Sequence, residues 1–172
     1  MEPTTAARKT ARAAENTARD ALMQAYLEAW NSHRADSVAE FFATDGVYDD
    51  RGAGVVARGM PEIRAHVRSV ITAFPDLHFE LTRSAHGDDF TAGEWRATMT
   101  HAGELDGLRA TGRRVTSEGV DVATLDGDVR VSHLVSYYDG AAIMRELGLL
   151  PPRGSRLERT ALRAASLLPR RP

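Results

Sequence analysis

One acidic residue, Asp121, stands in a strand-like run where a buried strand would favour an apolar side chain. Side chains alternate along a strand, so Val120 and Val122 share one face while Gly119, Asp121 and Ala123 share the other. A face of small residues with one carboxyl is either a solvated outer surface or the wall of a ligand cavity. In a cavity wall, the small residues would leave room and the carboxyl would do chemistry.

A second acidic pair, Asp49 and Asp50, ends a short predicted strand over 47–50. Asp50 is therefore a second candidate for acid or base work. Both residues are equally consistent with turn carboxylates beside Arg51, at the start of a glycine-rich, irregular stretch over 51–58.

Aromatic and polar side chains on other elements complete the set of candidates. Tyr26 and Trp30 lie four residues apart on one helical stripe, which also fits an ordinary core. Trp95 and Met99 share a predicted strand face with His101, so this face is not uniformly apolar. A single histidine of this kind is more often a core or rim residue than an acid.

The sequence contains no motif typical of a metal site, a nucleotide-binding site or a serine hydrolase. The six histidines show no metal-ligand spacing, HExxH and GxSxG are missing, and no glycine-rich loop follows a strand in phosphate-binding form. His133 is predicted to point outward, opposite Ser136 and Tyr138. We therefore predict a site with no metal and no cofactor.

Composition limits the class of protein further. The 172 residues predict one main domain, and 22 basic against 24 acidic residues give a net charge of −2, which disfavours nucleic acid as a partner. The chain has no cysteine, and it contains no run near the roughly 20 apolar residues that a membrane span needs. The alanine- and arginine-rich start lacks the apolar core of a secretory signal. We predict a cytoplasmic protein.

The elements that must position these residues are helices first and strands afterwards. Helical periodicity predicts a first helix ending near residues 31–33, a second one beginning at an Asp36 N-cap and carrying Phe41 and Phe42, and a third from Pro61 to Phe74. Asp45-Gly46 is predicted to form a turn. From Leu77 onward the period changes to two, which predicts strands near 77–82, 94–101, 117–125 and 129–138. This order indicates an α+β domain with helices packed on a curved antiparallel sheet.

The chain divides into three predicted parts: a flexible arm over 1–15, the α+β domain over 16–151 and a basic C-terminal tail over 152–172. The run Pro151-Pro152-Arg153-Gly154-Ser155 is typical of a linker. Beyond it, arginines surround leucines and alanines in the pattern of a basic amphipathic helix. Such a helix could meet an anionic membrane surface or a partner, or simply lie solvated against its own domain.

Several short motifs in this order resemble a known superfamily. One set of motifs resembles ketosteroid isomerases of the nuclear-transport-factor-2-like fold: Tyr26-Leu27-Glu28, Phe41-Phe42-Ala43, Tyr48-Asp49-Asp50 and the run over 121–127. A second set of motifs resembles the SnoaL-like polyketide cyclases: Phe74-Pro75-Asp76-Leu77, Thr100-His101-Ala102-Gly103-Glu104, the run over 110–115, Tyr137-Tyr138-Asp139 and Leu147-Gly148-Leu149-Leu150-Pro151. The resemblance implies a cone-shaped α+β barrel with a deep apolar pocket, a homodimer, and small-molecule chemistry without metal or cofactor.

Carried over by position, the resemblance implies a role for three residues. Asp50 matches the general base, Asp121 the carboxylic acid that stays protonated and donates a hydrogen bond to an enolate, and Tyr26 the second donor. Ketosteroid isomerase is the well-known example of a carboxylic acid kept protonated in an apolar site. In the related cyclases an acid/base carboxylate occupies the position of Ser136, so their aldol-type mechanism does not transfer intact. We predict substrate contacts from the following residues: Trp30, Tyr48, Trp95, Met99, His101, Leu134, Ser136 and Tyr138.

These observations predict an isomerase or cyclase acting on a polyketide-like, steroid-like or similar carbonyl- or epoxide-containing compound by acid/base catalysis. Asp50 is expected to stay ionised in a partly solvated mouth, while burial raises the pKa of Asp121. Two alternatives stay open. One is a non-catalytic binding or dimerisation module of the same fold, and the other is a hydratase, hydrolase or hydroxylation-assisting protein.

Overall fold

The computed structural model describes residues 4–105, 107–127 and 129–166. The helices are α1 (Thr5–Asn31), α2 (Ala35–Ala39), α3 (Gly59–Ala73), α4 (Gly140–Glu146) and α5 (Arg156–Ser166). The strands are β1 (Phe42–Asp50), β2 (Val55–Arg58), β3 (His78–His86), β4 (Phe90–Thr100), β5 (Arg114–Leu125) and β6 (Val131–Tyr138). The α+β class and the helices-then-strands order are confirmed.

The strands form one curved, unclosed sheet in the order β2-β1-β6-β5-β4-β3. Four of the five neighbouring pairs are antiparallel, as predicted, but β1 and β6 run parallel, so the sheet is mixed. Alternating side chains reveal a strand but carry no information on its direction. The many residues between β1 and β6 give the chain room to return with the same direction.

Two details around β1 correct the sequence-based boundaries. Phe42, expected on the second helix, begins β1, and Asp45-Gly46, expected to form a turn, lies inside this strand at a shift of register between Phe42 and Val47. A side chain at Gly46 would approach the Val131 carbonyl oxygen to 2.9 Å, which explains the glycine at this irregularity. Asp36 lies within the first turn of α2 rather than capping it.

The stretch over 51–58, expected to be irregular throughout, ends in a strand. Residues Val55–Arg58 form β2, which pairs with the end of β1 and brings Val55 opposite Asp50. Four residues with two valines are too short a signal to separate from a loop by periodicity. The strand matters because it holds the turn after Asp50 against the sheet.

The first helix packs on the sheet through an apolar stripe. Met23, Tyr26, Leu27 and Trp30 are buried, and the Asn31 side chain exchanges hydrogen bonds of 2.9 and 2.7 Å with the backbone of Phe79 on β3. The helix begins at Thr5, within the segment predicted as an arm, while Met1–Pro3 lie outside the described residues.

The predicted C-terminal helix is present as α5, with Leu157 and Leu162 exposed by 66% and 64%. Leu168, Arg170 and Arg171, assigned to the same basic helix from sequence, lie outside the described residues. In the part of the chain that the structure describes, no helix has the length and apolar character to cross a bilayer.

Candidate active site

A cavity of about 720 Å³ opens between the concave face of the sheet and helices α1, α3 and α4. Its lining is mainly apolar and aromatic, a composition typical of small-molecule sites. The structure brings eight of the eleven predicted site residues to this lining: Asp50, Asp121, Trp30, Tyr48, Trp95, Met99, Ser136 and Tyr138. This face of β5 is turned toward the cavity rather than toward solvent, with Ser117 and Asp121 in the lining, whereas Gly119 and Ala123 are not part of it.

The polar groups of the cavity form a row across three neighbouring strands. Ser136 on β6 pairs with Asp50 on β1 on one side and with Asp121 on β5 on the other. Neighbouring strands lie about 4.8 Å apart, so the backbones at the two acids are separated by about 10 Å. Two carboxyl groups therefore face one cavity from one wall, with a hydroxyl between them.

The Asp121 carboxyl is 4% exposed and accepts two hydrogen bonds on the same oxygen. Trp95 Nε1 donates to Oδ1 over 3.0 Å, and Ser136 Oγ donates to it over 2.6 Å. Burial raises the pKa of Asp121 to about 6; the two donors lower it and the charge of Asp50 raises it. A group with this pKa can hold or release a proton near neutrality.

A glycine in β5 explains how Trp95 reaches Asp121. Gly119 pairs with Trp95 across the β4–β5 ladder, and a Cβ at Gly119 would lie 2.4 Å from the indole Cζ2. The six-membered ring of the indole therefore packs directly against the glycine, and the indole nitrogen reaches the acid two residues further along the strand. The small residue next to the acid serves the tryptophan rather than the ligand.

Asp50 is held by two donors at the end of β1. Its Oδ1 accepts the Ala53 backbone N–H over 2.9 Å, and its Oδ2 accepts from His66 Nε2 over 3.0 Å. The Asp50 side chain is 5% exposed, so the expected partly solvated surroundings are wrong. The return of the chain through β2 and the packing of α3 cover it.

His66 is a site residue that sequence reasoning missed. It lies on α3, lines the cavity, and its ring meets the Tyr48 ring edge-on with centroids 5.3 Å apart. A signal was available, because His66 follows Ile63 by three residues and precedes Val70 by four, on the apolar stripe of the helix. A histidine on such a stripe is buried and needs a polar partner, which here is Asp50.

Two phenols line the cavity near Asp50. Burial raises the pKa of the Tyr138 hydroxyl, and the charge of Asp50 raises it further, while burial is the main cause of the raised pKa of Tyr48. Gly52 makes room for the Tyr138 ring, since a Cβ there would lie 2.3 Å from it. Both phenols keep their protons at neutral pH and are available as hydrogen-bond donors.

Three predicted site residues lie outside the lining: Tyr26, His101 and Leu134. Tyr26 is buried against Phe41 and Phe42, and its hydroxyl has no hydrogen-bond partner among the described residues. His101 is fully buried, with Nδ1 within 3.2 Å of Thr111 Oγ1, and Leu134 belongs to the core. The geometry therefore favours Tyr48 and Tyr138 over Tyr26 as phenols that contact a ligand.

Asp49 takes no part in the row. It forms an ion pair of 2.6 Å with Arg51, as the turn-carboxylate interpretation of this residue expected. Across residues 4–105, 107–127 and 129–166, no group of three or more histidine, aspartate or glutamate side chains is placed to hold a metal ion.

Comparison with known proteins agrees with this architecture. Residues 20–147 match the family model of the SnoaL-like polyketide cyclases. AclR, a proposed hydroxylase from Streptomyces galilaeus, is 26% identical, with a TM-score of 0.70 over 88% of this chain and 94% of its own. IdmH, a proposed polyketide cyclase from Streptomyces antibioticus, is 21% identical, with a TM-score of 0.64 over 76% of this chain and 98% of its own.

A third solved structure bears on the fold alone. A protein with a ketosteroid-isomerase-like fold from Catenulispora acidiphila is 16% identical, with a TM-score of 0.63 over 74% of this chain and 92% of its own. No curated protein matches the sequence. The predicted resemblance, to both SnoaL-like cyclases and the ketosteroid-isomerase-like fold, is confirmed.

Proposed function

This chain belongs to the SnoaL-like polyketide cyclase family, and from that premise we propose that it isomerises or cyclises a polyketide-like or similar carbonyl-containing small molecule by cofactor-free acid/base catalysis. One observation carries the proposal: two buried carboxyl groups, Asp50 and Asp121, face a largely apolar cavity from a single row of the sheet. A site used only for binding has little need for two buried acids in such surroundings, because burying a charge is costly.

Removing a proton next to a carbonyl requires a base for the proton and a donor for the oxygen that becomes negative. The Asp50 end of the row, with its hydrogen-bonded His66, supplies the base. Asp121 supplies the donor when it is protonated. A ligand that displaces water from the cavity desolvates Asp121 further and raises its pKa above the value of about 6, which favours the protonated form.

The proposal is tested by hydrogen exchange into D₂O. Fused-ring aryl ketones, beginning with 1-tetralone, are incubated with the protein, and deuterium uptake at the carbon next to the carbonyl is followed by mass spectrometry. We expect catalysed exchange by the wild type and a loss of roughly 10²–10³-fold in Asp121→Ala, which removes the oxyanion donor, whereas asparagine would keep an N–H donor at this position.

The matched control is Asp89→Ala, an exposed acid in the turn between β3 and β4, away from the cavity lining and from the outer face of the sheet. It should exchange like the wild type. Absence of catalysed exchange with every ketone, or equal rates for wild type and Asp121→Ala, would reject the proposed function in favour of a binding module.

A second candidate, a role in hydroxylation, is favoured by the similarity to AclR, which is a proposed hydroxylase and is covered over 94% of its length. The two functions differ in product mass. Isomerisation or ring closure by isomerisation leaves the mass of the substrate unchanged, whereas hydroxylation adds one oxygen atom. Mass spectrometry of products formed with and without dioxygen separates them.

We also propose that the protein works as a homodimer in the cytoplasm. The outer face of the sheet supports the dimer, since Tyr137 is exposed there by 49% beside the half-buried Val120, Val122 and Val135. Sedimentation equilibrium gives the mass directly, and a monomer at micromolar concentration would contradict the dimer.

The predicted catalytic domain over 16–151 contains every lining residue of the cavity.

A further inference from the structure

The hydrogen bonds around Asp50 indicate which group at that end of the row meets the substrate. Both oxygens of the carboxyl already accept a protein donor, Oδ1 from the Ala53 N–H and Oδ2 from His66 Nε2. A carboxylate held in this way is fixed in orientation. It resembles the partner of a catalytic imidazole more closely than a free base.

The same contact determines which nitrogen of His66 carries the proton. When Asp50 is ionised, its carboxylate only accepts hydrogen bonds, and His66 Nε2 then carries the hydrogen in its 3.0 Å contact with Asp50 Oδ2. In the neutral ring, Nδ1 is then an acceptor with a free lone pair. Among the described residues no group donates to Nδ1, and the side chain, 9% exposed, lines the cavity.

Packing holds the imidazole in this position. The Tyr48 ring lies edge-on to it at 5.3 Å, and His66 belongs to the interior of a 15-residue helix. A base fixed by a helix, an aromatic ring and a carboxylate needs little reorganisation when it takes a proton. The imidazolium that forms would lie beside the Asp50 carboxylate, which stabilises its charge.

We propose that His66 is the general base of this site and that Asp50 is its positioning residue. This inference rests on the proposed function and changes which residue takes the proton. His66 Nδ1 takes the hydrogen from the carbon next to the substrate carbonyl, and the electron pair of the broken C–H bond forms the enolate. The carbonyl oxygen becomes negative and accepts a hydrogen bond from protonated Asp121. The imidazolium then returns the proton to the substrate carbon, or the enolate carbon attacks an electrophile.

Two substitutions separate a base from a structural residue. In His66→Gln, the amide can still donate to Asp50 and support the fold, but it offers no basic nitrogen. In His66→Ala, the ring is removed and a space of its size opens in the cavity. We expect both variants to lose roughly 10²–10⁴-fold in 1-tetralone exchange, as usual for a lost general base. Recovery of the rate in His66→Gln would overturn the proposal, because a positioning role would survive that change.

Chemical rescue provides a readout that a structural role would not affect. Imidazole and its methyl derivatives, added to His66→Ala, should restore exchange, and the rescued rate should rise with the basicity of the added imidazole. Formate or acetate added to Asp50→Ala can replace the positioning carboxylate, so any rescued rate there should not rise with the basicity of the added acid. A rescued rate in Asp50→Ala that rises with carboxylate basicity, or rescue of His66→Ala without dependence on basicity, would assign the base to Asp50 instead.

A measurement without substrate tests the same assignment. Two-dimensional ¹⁵N NMR of the histidine side chains should show the neutral His66 ring with its proton on Nε2 in the wild type. In Asp50→Asn this tautomer should lose its preference. A proton on Nδ1 in the wild type would overturn the inference.

The two proposals fail in different ways. Equal exchange by wild type and Asp121→Ala rejects the proposed function. Normal exchange by His66→Gln together with impaired Asp121→Ala leaves the function standing and rejects His66 as the base.

Discussion

Replacement of Asp121 by asparagine should make the protein more stable at neutral pH, although it removes an acid of the proposed active site. The native state keeps this carboxyl in a cavity wall with 4% exposure, where its charge is poorly solvated. Asparagine has the same shape and can accept the hydrogen bonds from Trp95 and Ser136 through its oxygen. It carries no charge that needs water.

The size of the effect follows from the pKa. Burial raises the pKa of Asp121 from 3.8 to about 6. Each unit corresponds to about 1.36 kcal/mol, so the shift amounts to about 3 kcal/mol. Between these two pKa values the native state binds more protons than the unfolded chain, and the free energy of unfolding therefore falls as the pH rises through this window. Above about pH 6 both states are ionised and the full penalty stays constant.

Urea unfolding of wild type and Asp121→Asn, followed by circular dichroism at one protein concentration, measures this penalty. Effects of the substitution that do not depend on pH cancel when results at different pH values are compared. The unfolding free energy of the variant minus that of the wild type should increase by about 3 kcal/mol from about pH 3.5 to about pH 7.5. A difference that is constant with pH, or that moves in the opposite direction, would refute the reasoning.

Two further substitutions test the neighbours of the site. Gly119→Ala should cost about 1–3 kcal/mol of unfolding free energy, because the new methyl group would lie 2.4 Å from Trp95 and 2.6 Å from the Tyr137 carbonyl oxygen. Tyr26→Phe should gain about 1 kcal/mol, because it removes a buried hydroxyl without a partner among the described residues, and should leave ketone exchange unchanged.

For each of these two predictions, one specific result would contradict the physical reason given. Gly127→Ala is the control for the first, since a Cβ there meets nothing within 4 Å, and equal effects at the two glycines would remove the packing explanation. For Tyr26, a tenfold loss of exchange would place its hydroxyl in contact with the ligand, as the sequence resemblance implied, despite its position behind the lining.

The part of the site that lies on long strands could be predicted from the sequence. In β4 and β5, strict alternation places Trp95, Met99 and Asp121 on one face, and the structure has them on one cavity wall. Alternation works here because a strand of eleven or twelve residues offers several repeats of its period.

The rest depended on information that periodicity does not carry. His66 was missed because its partner Asp50 lies 16 residues away, on an element whose pairing the pattern does not show. The parallel pairing of β1 with β6, which places Asp50 beside Ser136, is equally invisible to a pattern of alternating side chains. Tyr26 shows the opposite case, since its helical stripe fits a core residue and a ligand contact equally well.

The serine in the middle of the row explains how two acids can occupy one wall. With Ser136 between them, the backbones at Asp50 and Asp121 lie about 10 Å apart, where two charges repel by about 2 kcal/mol at an effective dielectric constant of about 20. A carboxylate at Ser136, as in the related cyclases, would lie one strand from both acids, and the repulsion at about 5 Å would double. The hydroxyl instead donates to Asp121 and lowers its pKa, so that burial does not hold this acid permanently neutral. Ser136 thus leaves Asp121 able to change its protonation state near neutral pH, which is the property that the proposed chemistry needs.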